Sequence, residues 1–370
     1  MTYHFSRPDG RVTILGALDL ERTPAGVRPR RLPAWTRPRL NDGWMDLVVS
    51  HTAGVRLRLR TAARSLALGV HVTVPVMPEG RLPASFDLVV DGTVLARVPA
   101  TAGDVLTLAA DLADARLAPG PAETVRFDEL PAGEKDVEIW LPHGATVELR
   151  TLDSDAPLLA PTPPPGVAWV HYGSSISHGL EAPAPTLTWP AVAALTAGAA
   201  LTNLGFAGNA VLDPEVARAI RDTPAGLVTL KAGINIVGEA SMRERTFVPA
   251  VHGFLDTIRE GHPDTPVVLV SPTSFAELET TSGPVTPDPE TGRKRALGSA
   301  GTGALTLTGV RTLLAKIVDV REDPALHYLD GRKLLGPDEA GSLPDGLHPD
   351  PAAHLRMGDR AARLLLGPHL

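Results

Sequence analysis

The chain has 370 residues, 43% of them hydrophobic and only 4% aromatic, and at this length two domains are expected. Its net charge of −7 and its lack of a basic block give no electrostatic reason to expect a nucleic acid or an anionic membrane as a partner. Since the chain contains no cysteine, disulfides, thiolate nucleophiles and cysteine-metal sites are excluded.

The first part of the chain shows the period-two pattern of half-buried strands and no convincing helix. Residues 86–90 and 93–98 flank an Asp-Gly pair, which accepts the positive φ angles of a two-residue hairpin turn. Residues 137–141 and 146–152 are interpreted as a further strand pair. Together these features predict an all-β sandwich, or jelly-roll-like domain, over residues 1–156.

A proline-rich segment separates two regions of different periodicity. Five prolines lie between residues 157 and 166, a density that excludes both a helix and a central strand. We therefore expect a linker at residues 157–166 and a second domain at residues 167–370.

The second domain alternates apolar strands with helical segments. Strands are expected at residues 167–172, 200–204, 227–231, 267–270 and 326–329, and helices from residues 188 and 213 and over residues 246–260, 304–320 and 351–366. This alternation predicts a parallel sheet with helices on both faces, in which ligands bind at the carboxyl ends of the strands. The segment of residues 276–300 is too long for an ordinary connection. It is either a lid over the site or a disordered insertion, and a mobile rim is favoured.

Four polar motifs occur in a fixed order along this domain. They are Gly-Ser-Ser-Ile-Ser-His-Gly at residues 173–179, Gly-Phe-Ala-Gly-Asn at 205–209, Ala-Gly-Ile-Asn at 232–235 and Asp-Gly-Leu-His-Pro at 345–349. The first three each follow one of the first three expected strands. Such a set supplies a nucleophile, oxyanion donors and a base with its orienting acid, which are the groups that a serine hydrolase requires.

The ordered motifs resemble the sequence blocks of the SGNH, or GDSL-type, esterases and acylhydrolases. The resemblance covers residues 167–370 and implies a flavodoxin-like, three-layer αβα fold for them. It also implies five site residues: the nucleophile Ser175, the oxyanion-hole residues Gly208 and Asn235, the acid Asp345 and the base His348. One departure is Ser174, because the family often has aspartate there. The preceding sandwich is similar to that of two-domain carbohydrate esterases, a likeness of fold that does not identify the substrate.

The residue types suit this chemistry. A serine hydroxyl is a weak nucleophile at neutral pH and needs a base within hydrogen-bond reach. His348 can take the Ser175 proton and return it to the leaving alcohol, while Asp345 can orient the imidazole. The backbone N–H groups of Ser175 and Gly208 and the side-chain amide of Asn235 can receive the negative charge of the tetrahedral intermediate.

Each of these residues also has a purely structural interpretation. Ser175 could cap a helix, and Gly208 could serve a tight turn. Asn235 and Asp345 are common turn residues. The ordered set favours the catalytic roles, whereas His171 is expected to be a packed strand histidine.

No metal site and no cofactor are expected. The histidines show no i, i+4 pair with a carboxylate, and the chain has neither a glycine-rich phosphate loop nor a dinucleotide fingerprint. The first residues contain no apolar core of signal-peptide length, and no apolar run reaches transmembrane length. A cytoplasmic location without a membrane partner is therefore expected, with secretion left open.

The sequence predicts a serine esterase that hydrolyses short-chain acyl or acetyl esters of a sugar or small alcohol through an acyl-serine intermediate. Two alternatives are left open: a carbohydrate-binding protein with a degenerate hydrolase domain, and a longer-chain lipase or thioesterase of the same fold. The sandwich could also be purely structural, which its scarcity of aromatic residues favours over sugar stacking. The expected partner is a small-molecule or carbohydrate ester, and a homo-oligomer is compatible with the sequence.

Overall fold

The structure, a computed structural model, describes residues 1–40, 43–77, 80–109, 114–164 and 166–367. The chain divides into two compact units. The first consists of Met1–Pro165, Gly179–Ala191 and Ala200–Asn203, and the second consists of Gly166–His178, Val192–Ala199 and Leu204–Leu370. Two short segments from the second half of the chain therefore pack with the first unit.

The first unit is a β-sandwich. Its strands are β1 (Thr2–His4), β2 (Thr13–Leu15), β3 (Asp19–Arg22), β4 (Val27–Arg30), β5 (Arg56–Thr61), β6 (Leu66–Met77), β7 (Gly80–Arg81), β8 (Ser85–Val90), β9 (Thr93–Pro99), β10 (Asp104–Leu108), β11 (Ala115–Ala118), β12 (Glu123–Phe127), β13 (Lys135–Trp140), β14 (Thr146–Ser154) and β15 (Leu158–Leu159).

The described strands of this unit form two sheets. The larger has the order β11-β10-β6-β14-β4-β3, with β1 beside β14 and with β7 and β12 beside β6. The smaller has the order β15-β5-β13-β8-β9, with β2 beside β5. Neighbouring strands are antiparallel, apart from β10 and β6, which are parallel.

Apolar side chains from both sheets meet in one core. Leu57 and Leu59 of β5 point into it from the smaller sheet, and Leu68, Val70 and Val72 of β6 from the larger; all five are fully buried. This arrangement is the one that period-two patterning produces when each sheet buries one face. The predicted β-sandwich is confirmed.

The hairpin predicted around the Asp-Gly pair is confirmed. β8 and β9 are antiparallel neighbours joined by Asp91 and Gly92. These two residues have φ angles of +46° and +80°, as a type I′ turn requires.

The prediction that residues 137–141 and 146–152 pair with each other is wrong. β13 pairs with β5 and β8 in one sheet, whereas β14 pairs with β6 in the other. Pro142 has no N–H to continue a ladder between the two strands, and the connection that contains it crosses from one sheet to the other. It is held there by Thr52, whose backbone N–H donates to the carbonyl of Ala145 (3.1 Å) and whose hydroxyl donates to that of Pro142 (2.6 Å).

A helix, α1 (Gly43–Ser50), occurs in this unit, where the sequence pattern predicts none. Met45, Val48 and Val49 are buried at helical spacing. The helix has only 8 residues, so its periodicity is too short to stand out among the strands around it. A 3₁₀ segment, Ala34–Arg39, precedes it.

The second half of the chain alternates strands with helices. The strands are β16 (Ala168–Gly173), β17 (Ala200–Gly205), β18 (Leu227–Lys231), β19 (Val267–Val270), β20 (Val285–Pro287), β21 (Lys294–Ala296) and β22 (Leu326–Leu329). The helices are α2 (Ser175–His178), α3 (Trp189–Ala197), α4 (Pro214–Asp222), α5 (Ile234–Gly238), α6 (Glu244–Gly261), α7 (Ala276–Glu279), α8 (Leu307–Arg321) and α9 (Pro351–Ala361).

The main sheet of the second half has the order β17-β16-β18-β19-β22. β16, β18, β19 and β22 pair in parallel, and the first strand of the series lies second in the sheet, which is the flavodoxin-like order. β18 and β19 are buried at every residue, as expected for a parallel sheet with helices on both faces. The predicted α/β fold is confirmed.

The long connection of residues 276–300 contains α7 and a hairpin of β20 and β21. It therefore has secondary structure of its own, which the polar, proline-containing sequence does not indicate. Its role as a lid stays a prediction. No described helix is both long enough and apolar enough to cross a membrane.

Candidate active site

The first polar motif forms a tight turn at the carboxyl end of β16. The strand ends at Gly173 and α2 begins two residues later at Ser175. The turn is closed by the Ser174 carbonyl, which accepts hydrogen bonds from the N–H groups of Ser177 (3.0 Å) and His178 (2.9 Å). Ser175 is 9% exposed, so it lies at the surface of an otherwise buried turn.

Ser175 is hydrogen-bonded to a histidine that lies 173 residues later in the chain. Its Oγ lies 2.8 Å from Nε2 of His348, and Nδ1 of the same ring lies 2.7 Å from Oδ2 of Asp345. An ionised carboxylate only accepts hydrogen bonds, so Nδ1 carries the proton and Nε2 of the neutral ring is free to accept from the serine hydroxyl. The three predicted residues therefore form one continuous hydrogen-bonded series.

The carboxylate of Asp345 is held by its own turn. Oδ1 accepts the backbone N–H groups of Leu347 (2.9 Å) and His348 (2.7 Å). Burial by itself would raise the pKa of Asp345, but the hydrogen bonds from His348, the charge of that ring when protonated and the N–H of Leu347 outweigh burial and lower this pKa. Asp345 is therefore ionised at neutral pH and fixes the orientation of the imidazole.

The loop that follows the second motif contacts Asn235 of the third motif. Gly208 has φ +74°, a left-handed conformation that favours glycine. Asn235 lies in the first turn of α5, and its Oδ1 accepts the N–H of Ala210 (3.1 Å). The side-chain nitrogen of Asn235 is thus left as its hydrogen-bond donor. The loop that contains Gly208 also reaches the end of β16, because the Phe206 N–H donates to the Gly173 carbonyl (2.8 Å).

A set of buried polar side chains lies beneath the turn that carries Ser175. His171 is fully buried, as predicted, and its two ring nitrogens contact the hydroxyls of Thr229 (2.7 Å) and Ser177 (2.8 Å). Burial, assisted by the charge of Lys231, lowers the pKa of His171 to about 3, so its ring is neutral at pH 7. The sequence pattern indicates the packed histidine but not its partners, which come from two other segments.

Lys231, the last residue of β18, is a functional candidate that the sequence reasoning did not single out. Its side chain is 1% exposed, and none of the described residues accepts a hydrogen bond from its Nζ. Burial, with the charge of Arg311 nearby, lowers the pKa of Lys231 to about 7. A lysine at the end of a strand that is otherwise largely apolar, Leu-Val-Thr-Leu, is the signal that could have identified it.

The β20–β21 hairpin is bonded to the turn that carries Asp345. The backbone N–H of Lys294 donates to the Asp345 carbonyl (2.7 Å), and the guanidinium of Arg293 donates to that of Pro344 (3.3 Å). A cavity of about 390 Å³ lies between them, with Phe275, Leu343 and Gly346 in its lining. Among the described residues, no group of three or more histidine, aspartate or glutamate side chains could hold a metal ion.

The second half of the chain matches a known protein family. Residues 167–282 match the model of the GDSL-like lipase/acylhydrolase family. This match confirms the resemblance predicted from the polar motifs. A search of curated proteins gives no match.

Solved structures share the fold of the whole chain. A salicylyl-acyltransferase, SsfX3, from a tetracycline biosynthetic pathway is 27% identical, with a TM-score of 0.82 over 100% of this chain and 98% of that chain. An active-site mutant of a family two carbohydrate esterase from Clostridium thermocellum is 15% identical, with a TM-score of 0.61 over 95% and 96%. An acetyl xylan esterase from Butyrivibrio proteoclasticus is 11% identical, with a TM-score of 0.61 over 100% and 99%. The family match and the acyltransferase that is 27% identical support acyl ester hydrolysis or acyl transfer, whereas the two esterases show the fold alone.

Proposed function

We propose that this protein is a serine hydrolase that cleaves carboxylic esters through an acyl-serine intermediate. The observation that carries the proposal is the hydrogen-bonded series from Ser175 through His348 to Asp345, with links of 2.8 and 2.7 Å. The match of residues 167–282 to an acylhydrolase family supports the same class of reaction.

In the first half-reaction, Ser175 Oγ attacks the ester carbonyl carbon while Nε2 of His348 takes the hydroxyl proton. The tetrahedral intermediate then collapses, the bond to the alkoxy oxygen breaks, and Nε2 returns the proton to the leaving alcohol. Asp345 stabilises the imidazolium that forms in between. In the second half-reaction, water attacks the acyl-serine with His348 again as the base, which releases the carboxylic acid and restores Ser175.

The negative charge of the tetrahedral intermediate requires donors that are already in place. In this proposal they are the backbone N–H groups of Ser175 and Gly208 and the amide nitrogen of Asn235. The bond from Ala210 to Asn235 Oδ1 supports this role, because it fixes which end of the amide can donate to the substrate. Losing one such donor costs roughly 3–4 kcal/mol of transition-state stabilisation in other hydrolases.

The proposed substrate is a short acyl ester, such as an acetyl ester, of a sugar or a small alcohol. Two structural neighbours with the same architecture are a carbohydrate esterase and an acetyl xylan esterase. At 15% and 11% identity they share the fold alone, so architecture is the support for this substrate class. Rates on p-nitrophenyl acetate, butyrate and octanoate should fall with chain length; fastest hydrolysis of the octanoate would favour a lipase instead.

Acyl transfer is a second candidate, favoured by one observation. The neighbour that is 27% identical over the whole of this chain is an acyltransferase. Transfer uses the same acyl-serine but replaces water by an acceptor hydroxyl in the second half-reaction. Mass analysis of products formed with an added alcohol separates the two, because a new ester indicates transfer and free acid alone indicates hydrolysis.

The experiment that tests the proposed function is intact mass spectrometry after incubation with a fluorophosphonate. The wild-type protein should gain one covalent adduct, Ser175→Ala should gain none, and Ser174→Ala, which removes the neighbouring hydroxyl, should keep it. Absence of an adduct on the folded wild-type protein would contradict the proposal. Glycan binding without ester turnover would then favour a carbohydrate-binding protein with a degenerate hydrolase domain.

A further inference from the structure

A chain of buried hydrogen bonds connects the centre of the main sheet to the turn that carries Ser175. Trp169 Nε1–H donates to Thr229 Oγ1 (2.8 Å). The same Oγ1 lies 2.7 Å from His171 Nδ1, and His171 Nε2 lies 2.8 Å from Ser177 Oγ. All four side chains are 0% exposed.

The chain of bonds is satisfied with a neutral histidine. A neutral imidazole has one donor and one acceptor, and the hydroxyls of Thr229 and Ser177 can each donate or accept. Every link can therefore be made without burying a charge, in agreement with the low pKa of His171, about 3. Buried polar groups that all have partners rigidify the structure around them, because leaving any one of them unpaired is costly.

The last link of the chain ends inside the helix that begins with Ser175. α2 has only 4 residues, too few to be stable through its own hydrogen bonds. The hydrogen bond between Ser177 of α2 and His171 of β16 therefore stabilises this short helix. Gly173 makes room for this attachment, because a Cβ at that position would lie 2.3 Å from Ser177 Oγ and 3.3 Å from His171 Nε2.

We propose that His171 and Ser177 are positioning residues for Ser175. Their hydrogen bond holds α2 on β16, and thereby keeps Ser175 Oγ in line with Nε2 of His348. A displacement of about 1 Å at a reacting atom can lower a rate by on the order of 100-fold, so the attachment matters for reactivity even though neither side chain touches the substrate. This inference rests on the proposed function, in which Ser175 is the nucleophile.

The test compares Ser177→Ala with the matched variant Ser271→Ala. Ser271 is also 0% exposed; its hydroxyl accepts the N–H of Gly331 (3.0 Å) and is hydrogen-bonded to Tyr328, so both variants lose buried hydrogen bonding of a serine hydroxyl. The second-order rate constant for fluorophosphonate labelling and kcat on p-nitrophenyl acetate should fall at least tenfold in Ser177→Ala, with KM within twofold of the wild-type value. In Ser271→Ala both rates should stay within threefold, at a similar loss of melting temperature.

Three further variants test whether the loss of rate comes only from a less stable fold. His171→Gln, which can still hydrogen-bond Ser177, should keep more of the labelling rate than His171→Leu. If Ser177→Ala does not fold, the isosteric Thr229→Val replaces it. This variant breaks the link between Thr229 and His171 and should lower the labelling rate by at least threefold. Equal loss of rate in the Ser177 and Ser271 variants would overturn the inference.

A readout that needs no catalysis separates this inference from the proposed function. Amide hydrogen exchange in the peptide covering residues 173–179 should be at least tenfold faster in Ser177→Ala than in the wild type, and unchanged in Ser271→Ala. If the wild-type protein is not labelled, the proposed function fails, and exchange alone decides whether His171 and Ser177 hold the turn. Unchanged exchange in Ser177→Ala overturns the inference in either case.

Discussion

Single residues of the candidate site are held mainly by short local bonds. Asp345 accepts two backbone N–H groups and the ring of His348, all from within three residues of itself. Asp345 and His348 therefore form one unit whose geometry depends on a single turn. This is the physical reason why an Asp-Gly-Leu-His motif is informative in a sequence.

Removing the charge of Asp345 should remove most of the activity. Asp345→Asn keeps the size of the side chain but no longer forces the proton onto Nδ1, so kcat should fall on the order of 10⁴-fold by analogy with other triads. The matched control is Asp350→Asn at the start of α9, where Asp350 caps the Ala353 N–H (2.7 Å) and asparagine caps equally well. Steady-state kinetics of both variants test this; a loss below tenfold in Asp345→Asn would count against the role.

Lys231 should make folding stability depend on pH. Its pKa is about 7 in the folded protein and about 10.4 in an unfolded chain, so between these values the unfolded state binds a proton that the folded state lacks. The free energy of unfolding should therefore rise with pH from about 7 to about 10, by at most about 1.4 kcal/mol per pH unit from this residue.

Replacing Lys231 by methionine isolates that effect. Lys231→Met keeps a similar volume and removes the buried amine, so it should be more stable than the wild type at pH 7 and should lose this part of the pH dependence. Urea unfolding of both proteins at pH 7, 8 and 9 measures the two slopes. Identical slopes would show that Lys231 is not the group that titrates.

At the scale of secondary-structure elements, a turn that follows a strand requires glycine where its backbone lies against a side chain of another element. Gly233, between β18 and α5, has φ +114°, and a Cβ there would lie 2.6 Å from Val310 Cγ1. α5 carries Asn235 in its first turn, so the geometry of this turn determines where the amide points. The glycine of the third motif is therefore a requirement of packing as well as of backbone conformation.

Alanine substitutions at two glycines should have opposite effects. Gly233→Ala combines an unfavourable φ with a steric clash and should lower the free energy of unfolding by about 1–3 kcal/mol. Gly253→Ala lies within α6, where a Cβ would meet nothing within 4 Å, and should raise it by about 0.5–1 kcal/mol. Chemical denaturation gives both values; a neutral Gly233→Ala would mean that α5 can shift without cost.

At the scale of the whole molecule, the two compact units divide at Pro165 and Gly166, but the first unit also includes two segments from later in the chain. Gly179–Ala191 and Ala200–Asn203 are grouped with the sandwich. Within that unit, the buried carboxylate of Asp87 accepts the N–H of Thr186 (3.2 Å), and a guanidinium nitrogen of Arg56 donates to the carbonyl of Leu201 (2.9 Å). The sandwich is therefore completed by residues that come after the candidate nucleophile in the chain.

Asp87 should be important for the stability of this unit. It is 0% exposed and bonds both Arg97 (2.8 Å) and Thr186, so Asp87→Ala leaves the buried N–H and hydroxyl of Thr186 unpaired and should cost about 2–3 kcal/mol. Asp128→Ala is the control, because Asp128 is exposed and accepts only the Ser65 hydroxyl (2.6 Å) among the described residues, and it should cost less than about 1 kcal/mol. Thermal unfolding of both variants compares them; equal melting temperatures would contradict the prediction.

The features that could be predicted from the amino-acid sequence are those that depend on residues close together in the chain. Period-two and strand-helix alternation predicted the sandwich and the α/β fold, the Asp-Gly pair predicted its hairpin, and β18, β19 and β22 occur where they were expected. The spacing of Asp345 and His348 likewise indicated a pair that the structure places 2.7 Å apart. Each of these features is encoded within a few residues, so a local pattern is sufficient to identify it.

The contacts between segments that are distant in the chain are seen only in the folded structure. It placed β13 and β14 in opposite sheets and joined Thr186 to Asp87, 99 residues away in the chain. It also gave Ser177 a partner on β16 and attached the β20–β21 hairpin to Asp345. Such contacts depend on how buried donors and acceptors find partners once the layers have packed, and no local periodicity records that choice.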